Sequence, residues 1–238
     1  MTESNNLGLI IFSRMSSRRL PGKALMKINN RELLGRVIDR AKKLFNNERI
    51  VVATSNLQID DEIAHYGVNQ NIQIFRGSQD NVLKRAVMAS RKFSFTDIVR
   101  ICGDRPFISL NLIKKAINEH FKGDYDLTTT KNKFTNIPPG LTTEIIKVKA
   151  LEKVLKKVQR EKDKEHVTTY IYDNKIQFKI RELNISNKKF NSEMRFVVDN
   201  KKDLINMEKL ANLMDNLNEE DWDEADWDEA LISKWYEL

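Results

Sequence analysis

The 238 residues are 40% hydrophobic and 32% charged, with a formal charge of +7; this is the balance of a globular chain long enough to bury one domain's core. The single cysteine, Cys102, excludes an internal disulfide framework and a cysteine-rich zinc site. No apolar run approaches the length of a membrane span.

Leu7–Phe12 is a short apolar run that reads as a buried strand. It leads into Arg14-Met15-Ser16-Ser17-Arg18-Arg19-Leu20-Pro21-Gly22-Lys23, a loop with four cationic side chains, at the strand edge where open α/β sheets bind ligands. Arginine offers a planar fork of donors and lysine a point charge, while serine and Gly22 permit close backbone approach. Such a loop can surround a polyphosphate, or it can be a solvated basic turn. Glu32–Leu44 carries Leu33, Leu34, Val37, Ile38, Ala41 and Leu44 at helical spacing. Ile50–Thr54 reads as a strand, Gln58–Tyr66 as a short helix, Ile72–Phe75 as a strand and Asn81–Lys92 as a helix. Asp97–Ile101 is a further strand ending in Gly103-Asp104-Arg105-Pro106, and Leu110–Phe121 is again helical. This alternation predicts an α/β fold with right-handed crossovers and a mostly parallel sheet.

The regularity ends near Thr130. Asn136-Ile137-Pro138-Pro139-Gly140 is a rigid turn, Glu144–Val148 a strand and Leu151–Val158 a helix. Lys164–Tyr172 reads as a helix, Gln177–Arg181 and Met194–Val198 as strands, and Lys202–Leu217 as the closing helix. Residues 1–218 are thus expected as one domain, with about 130–185 as a surface excursion serving as lid or oligomer contact. Residues 219–238 form an acidic, Trp-containing tail with nine acids and one lysine. Its net −8 leaves +15 on the body, which attracts polyanions. The body's cations are spread along the chain, and no RNA-binding aromatic signature, helix-turn-helix or zinc-finger spacing accompanies them. Neither nucleic acid nor a membrane is expected as a partner, and the cytoplasm is the expected compartment. The tail repeats Asp221-Trp222-Asp223-Glu224-Ala225 once, at a period that fits neither a helix face nor a strand face. Exposed ionic pairing with the body is weak and salt-screened. Cutting after Asn218 is therefore expected to leave turnover nearly intact.

Two aspartates hold equivalent places, Asp104 after one strand and Asp199 at the end of another. Taken singly, Asp104 opens a turn before Pro106 and Asp199 caps a helix. Together, at one sheet edge beside a phosphate-binding loop, they suit Mg²⁺, which takes one or two carboxylates plus phosphate oxygens. His65 and His120 fall near helix ends, while His166 stands in the polar run Lys164-Glu165-His166-Val167-Thr168-Thr169-Tyr170.

Seven blocks stand in order along the chain: Ile11–Lys23, Val51–Ser55, Phe75–Leu83, Val99–Ile108, Pro138–Glu144, Glu165–Ile171 and Met194–Asp199. Together they resemble the cytidylyltransferases of the spore-coat polysaccharide type, relatives of the enzymes that activate sialic acid and ketodeoxyoctonate. The resemblance spans roughly residues 7 to 217. It implies a Rossmann-like, three-layer nucleotidyltransferase fold that transfers CMP from CTP to an acidic sugar, releasing pyrophosphate, for surface-polysaccharide precursors. By the same resemblance Arg14, Ser16, Arg19 and Lys23 belong to the triphosphate loop, and Asp104 and Asp199 are the Mg²⁺ ligands. Arg76 and Asp80 lie near base and ribose, and Glu144, His166 and Arg195 face the acceptor. Arg14, Lys23, Asp104 and Asp199 carry the catalysis, and a homodimer forms through the irregular region. Ser16, Arg18, Arg105, Thr142 and Asn200-Lys201-Lys202 depart from the family's usual residues. The added charge of Arg18 and Arg105 points to a more anionic acceptor. A phosphorylated acceptor giving a CDP-linked product, or a non-catalytic nucleotide-binding scaffold, are the alternatives.

Overall fold

Alternation along the first strand decides the layering. In β1 (Leu7–Phe12), Leu9 and Ile11 enter one core while Ile10 and Phe12 enter another, because successive side chains leave a strand on opposite faces. The computed structural model describes residues 5–131, 136–185, 187–191, 193–217 and 223–238.

A small hairpin, β2 (Lys27–Ile28) and β3 (Arg31–Glu32), leads into α1 (Leu33–Lys42). Then β4 (Ile50–Ser55), α2 (Asp61–Asn69), β5 (Gln73–Gly77), α3 (Val82–Lys92), β6 (Asp97–Cys102) and α4 (Leu110–His120) alternate. The chain continues through β7 (Leu127–Thr129), β8 (Glu144–Lys147), α5 (Val148–Leu155), α6 (Glu161–Glu165), α7 (Thr169–Asp173) and β9 (Ile180–Glu182). Two last helices follow, α8 (Lys201–Asp215) and α9 (Glu224–Trp235). The main sheet has the order β5-β4-β1-β6-β8-β7-β9. Strand β8 runs antiparallel to both neighbours, and the remaining pairings are parallel. Helices α1, α2 and α4 cover one face, and α3 and α5 the other. A third apolar cluster joins Phe107, Met194, Phe196 and Val198 to α8 and α9. The mostly parallel, three-layer reading therefore holds.

Four differences from the sequence reading have physical causes. Met194–Val198 joins no ladder among the described residues. Its Phe196 N–H donates to the Pro139 carbonyl at 2.8 Å and its Val198 N–H to the Asp104 carbonyl at 2.9 Å, so loops rather than a strand satisfy it. The expected Lys164–Tyr172 helix is broken: α6 ends at an extended His166, and α7 begins three residues later. Val167, Thr168 and Thr169 at the break are β-branched and stiff in a helix. The stretch after Thr130 is no mere surface excursion. It returns β8 between β6 and β7, and it buries Leu151, Val167 and Ile171 in the core. Asn132, Lys133, Phe134 and Thr135 lie outside the described residues.

The fourth difference is the tail. Trp222 lies outside the described residues, but Asp223 caps α9 through a reciprocal box with Asp226. Trp227, Leu231 and Ile232 of this helix are buried in the third cluster. The Arg40 guanidinium lies 3.3 Å from the centre of the Trp227 ring, and Trp235 meets Phe196 edge-on at 5.2 Å. Apolar burial, which salt does not screen, holds the tail; the expectation of weak ionic docking is corrected.

Candidate active site

The chain leaves β1 at Phe12 and curls back through the basic loop. The Met15 N–H donates to Asp60 Oδ1 at 2.7 Å, while Asp60 Oδ2 accepts from the Ser55 N–H at 3.1 Å and from the Ser55 hydroxyl. This wholly buried carboxylate pins the loop to the end of β4. The Ser17 and Gly22 N–H groups both donate to the Met15 carbonyl, at 2.8 and 2.9 Å. Gly22 turns there at φ +75°, a left-handed conformation that glycine adopts without penalty. The curl returns Lys23 to the sheet edge.

Lys23 Nζ donates to Asp104 Oδ2 and to the Val198 carbonyl, each at 2.7 Å, and to Asp199 Oδ1 at 3.4 Å. One ammonium thus bridges the two aspartates. Asp199 is positioned by the start of α8, where Asp203 Oδ2 accepts from the Asp199 and Asn200 N–H groups at 2.8 and 3.2 Å. Upstream, Gly140 at φ +104° lets the chain pass Phe196, since a Cβ there would lie 2.2 Å from the Phe196 carbonyl oxygen. Arg19 reaches Asp199 Oδ1 at 2.7 Å, and Arg195 pairs with Oδ2.

Across the cleft, Arg14 Nη2 donates to Glu165 Oε1 at 2.9 Å. The break between α6 and α7 places Glu165 and His166 on the cleft wall. Beneath them Arg100 Nη1 donates to Glu144 Oε2 at 2.9 Å. Glu144 Oε1 accepts from the Tyr172 hydroxyl at 2.8 Å and from the Thr168 hydroxyl at 3.1 Å. Burial opposes charge on Glu144, but Arg100 and the Tyr172 hydroxyl outweigh it and hold the carboxyl below its ordinary range. Burial likewise opposes the Arg100 charge; the Cys102 sulfur and Glu144 outweigh it and hold the guanidinium above its ordinary range.

The cleft encloses about 530 Å³. Of the predicted residues, Arg14, Arg19, Lys23, Asp104, His166 and Asp199 line it. Ser16 stands behind the loop, accepting from Gln79 Nε2 at 2.6 Å. Glu144 lies under Arg100, and Arg195 buttresses Asp199, so both touch lining residues rather than the cleft. Arg76 is not brought in: it donates to the Ser55 and Leu57 carbonyls at 3.0 and 2.9 Å and pairs with Asp61 at 2.6 Å. Asp80 is exposed and outside the lining. Arg105 donates to the Thr142 carbonyl at 2.9 Å. Sequence reasoning missed Asp60, Arg85, Arg100 and Glu165. Arg85 and Arg100 did carry a signal, as cations on otherwise apolar faces of α3 and β6. A second hollow of about 460 Å³ lies between α1 and α8, where Asp39 and Asp215 neutralise Arg31 and Arg36.

A basic loop and two carboxylates meet at the carboxyl edge of an α/β sheet, where such sheets bind their ligands. A profile of the cytidylyltransferase family matches residues 9–222, and the chain belongs to that family. It is 38% identical over 171 residues to an uncharacterized protein of Methanocaldococcus jannaschii, covering 72% of this chain and 69% of that one. It is 30% identical over 205 residues to a spore coat polysaccharide biosynthesis protein of Bacillus subtilis, covering 84% and 83%. A 3-deoxy-manno-octulosonate cytidylyltransferase of Fusobacterium nucleatum is 33% identical over 129 residues, 53% of this chain and 51% of that one. Among solved structures, a cytidylyltransferase from Leptospira borgpetersenii superposes with a TM-score of 0.84 at 26% identity, covering 96% and 94%. The chain is a nucleotidyltransferase of the cytidylyltransferase family.

Proposed function

We propose that the chain transfers CMP from CTP to an acidic sugar, releasing pyrophosphate, in the supply of surface-polysaccharide precursors. The observation that most supports this is the Asp104–Lys23–Asp199 bridge facing an arginine-bearing loop across one cleft. The name of one relative, a spore coat polysaccharide biosynthesis protein, supports the polysaccharide role, and that of another, a 3-deoxy-manno-octulosonate cytidylyltransferase, supports a sugar acid as acceptor.

Mg²⁺ suits the donors present: Asp104 and Asp199 are hard oxygen ligands that already converge on a single cation, the Lys23 ammonium. Held by these two carboxylates, Mg²⁺ would supply Lewis-acid polarisation of the phosphate under attack. Lys23, Arg14 and Arg19 would neutralise charge building on the departing pyrophosphate. An acceptor oxygen attacks the α-phosphorus in line, and no covalent enzyme nucleophile takes part. Positioning and electrostatics carry the rate. His166 and Arg100 face the acceptor, with Glu144 and Arg195 acting through their ion-pair partners. The working unit in this reading is a homodimer.

Incubation with CTP, Mg²⁺ and a panel of acid sugars and sugar phosphates, followed by pyrophosphate release, tests the reading. A CMP ester of an acid sugar is the expected product. A CDP-linked diester, or no pyrophosphate with any acceptor, would refute it. In competition CTP should outpace UTP strongly, because a mispaired buried polar group at the base edge is costly; equal use of the two would remove the cytidine assignment.

A further inference from the structure

Six cationic side chains line the cleft against three carboxylates, Asp104, Glu165 and Asp199. Four of the six have acidic partners. Lys23 and Arg19 pair at the aspartates, Arg14 with Glu165, and Arg100 with Glu144. Arg18 is exposed, so water solvates its charge. Among the described residues, Arg85 is neither exposed nor paired with an acid.

Arg85 sits in the first turns of α3 and is only 2% exposed, yet it lines the cleft. Its Nη1 donates to a neutral group, the Ser78 carbonyl, at 3.0 Å. Its Nε is buried and has no hydrogen-bond partner among the described residues. The carboxylate whose field it feels, Asp60, is already engaged by Met15 and Ser55. Burial, and then the charge of Arg14, push the Arg85 guanidinium down to about 10. A buried cation left beside a second cation, with a donor unspent, is costly to the empty protein and is completed by an incoming anion.

We infer that Arg85, together with Arg14, is an oxyanion-binding residue of this cleft, taking a phosphate or carboxylate group of a substrate. The identity of the substrates rests on the function proposed above; the anion site itself does not. Both the phosphates of CTP and the acid group of the acceptor have the required chemistry, and the experiment separates them.

Arg85→Met keeps apolar volume and removes the charge, while Arg85→Lys keeps the charge without the fork. Calorimetric titration with cytidine, CTP and inorganic pyrophosphate is run on each protein, with KM for an acid-sugar substrate where one serves. The expected result is that Arg85→Met weakens at least one anionic probe tenfold or more and leaves cytidine unchanged. Arg85→Lys should restore part of the loss. Weakened CTP and pyrophosphate identify a phosphate as the bound group. An acceptor KM raised tenfold with CTP binding unchanged identifies the acceptor's acid. Thermal melting supplies an independent reading: relieved of an unpaired buried charge, Arg85→Met should melt at or above the wild-type temperature. Unchanged binding of every anionic probe overturns the inference. So does an equal loss of cytidine binding accompanied by a lower melting temperature, which would make Arg85 a structural residue. The CTP and pyrophosphate arms need no acceptor, so they report on Arg85 even if every acid sugar fails as substrate.

Discussion

Trp227→Ala tests whether the acidic tail belongs to the folded body. Trp227 is 5% exposed and is seated among Phe107, α8 and α9, with the Arg40 guanidinium 3.3 Å from its ring centre. Truncating a buried tryptophan costs about 3–5 kcal/mol. Losing a desolvated cation–π contact adds about 1–2 kcal/mol. The sum, roughly 5 kcal/mol, is a third or more of the stability of an ordinary domain, about 5–15 kcal/mol. For a chain of this length it should lower the melting temperature by about 10–20 °C. Urea unfolding followed by fluorescence and circular dichroism gives the difference directly. Ile176→Ala serves as the control, since Ile176 is fully exposed and should change stability by less than about 0.5 kcal/mol. The consequence reaches the site, because Trp235 of the same helix packs on Phe196, three residues before Asp199. Cutting the chain after Leu217 should therefore reduce turnover as well as stability. If Trp227→Ala costs under about 1 kcal/mol, or the shortened chain keeps its full rate, the integration of α9 argued above is wrong.

Asp104→Asn or Asp199→Asn should lower kcat by about a hundredfold or more with the fold retained, on the scale of about 3 kcal/mol for losing a partner of the transition-state charge; near-normal rates at saturating Mg²⁺ would refute the metal assignment. Glu144→Gln should destabilise by about 3 kcal/mol near neutral pH, since it leaves Arg100 buried against a neutral group. Because the folded carboxyl is held below its ordinary range, the wild-type advantage is complete above the unfolded value of about 4.3 and is lost as pH falls through the folded value. Urea midpoints of the two proteins should therefore converge in acid; a constant gap down to pH 2 would count against it. Gly140→Ala forces a Cβ against the Phe196 carbonyl at a positive φ and should cost both stability and turnover; an unchanged melting curve and rate would show that the Asp199 segment does not depend on that passage.

The alternating strands and helices up to Thr130 were legible in the chain because their signals are local. β-Branched runs such as Ile50–Thr54 and the helical spacing of Leu34, Val37, Ile38 and Ala41 state their own periods. The placement of Arg14, Lys23 and Asp104 followed from the rule that loops at the carboxyl edge of a parallel sheet meet. Tertiary structure alone decided the rest, because those outcomes depend on partners distant in sequence. Whether Met194–Val198 joins a sheet turns on the Pro139 and Asp104 carbonyls that satisfy it. Whether Trp227 is solvated or buried turns on Arg40 and Phe107. Asp60 reads locally as an ordinary acid at a helix start, and only the folded chain brings the Met15 N–H to it. Arg85 and Arg100 showed as cations on apolar faces, but a sequence does not reveal whether a buried charge has found its counter-ion. For Arg100 the fold supplies Glu144; for Arg85 it leaves the cleft.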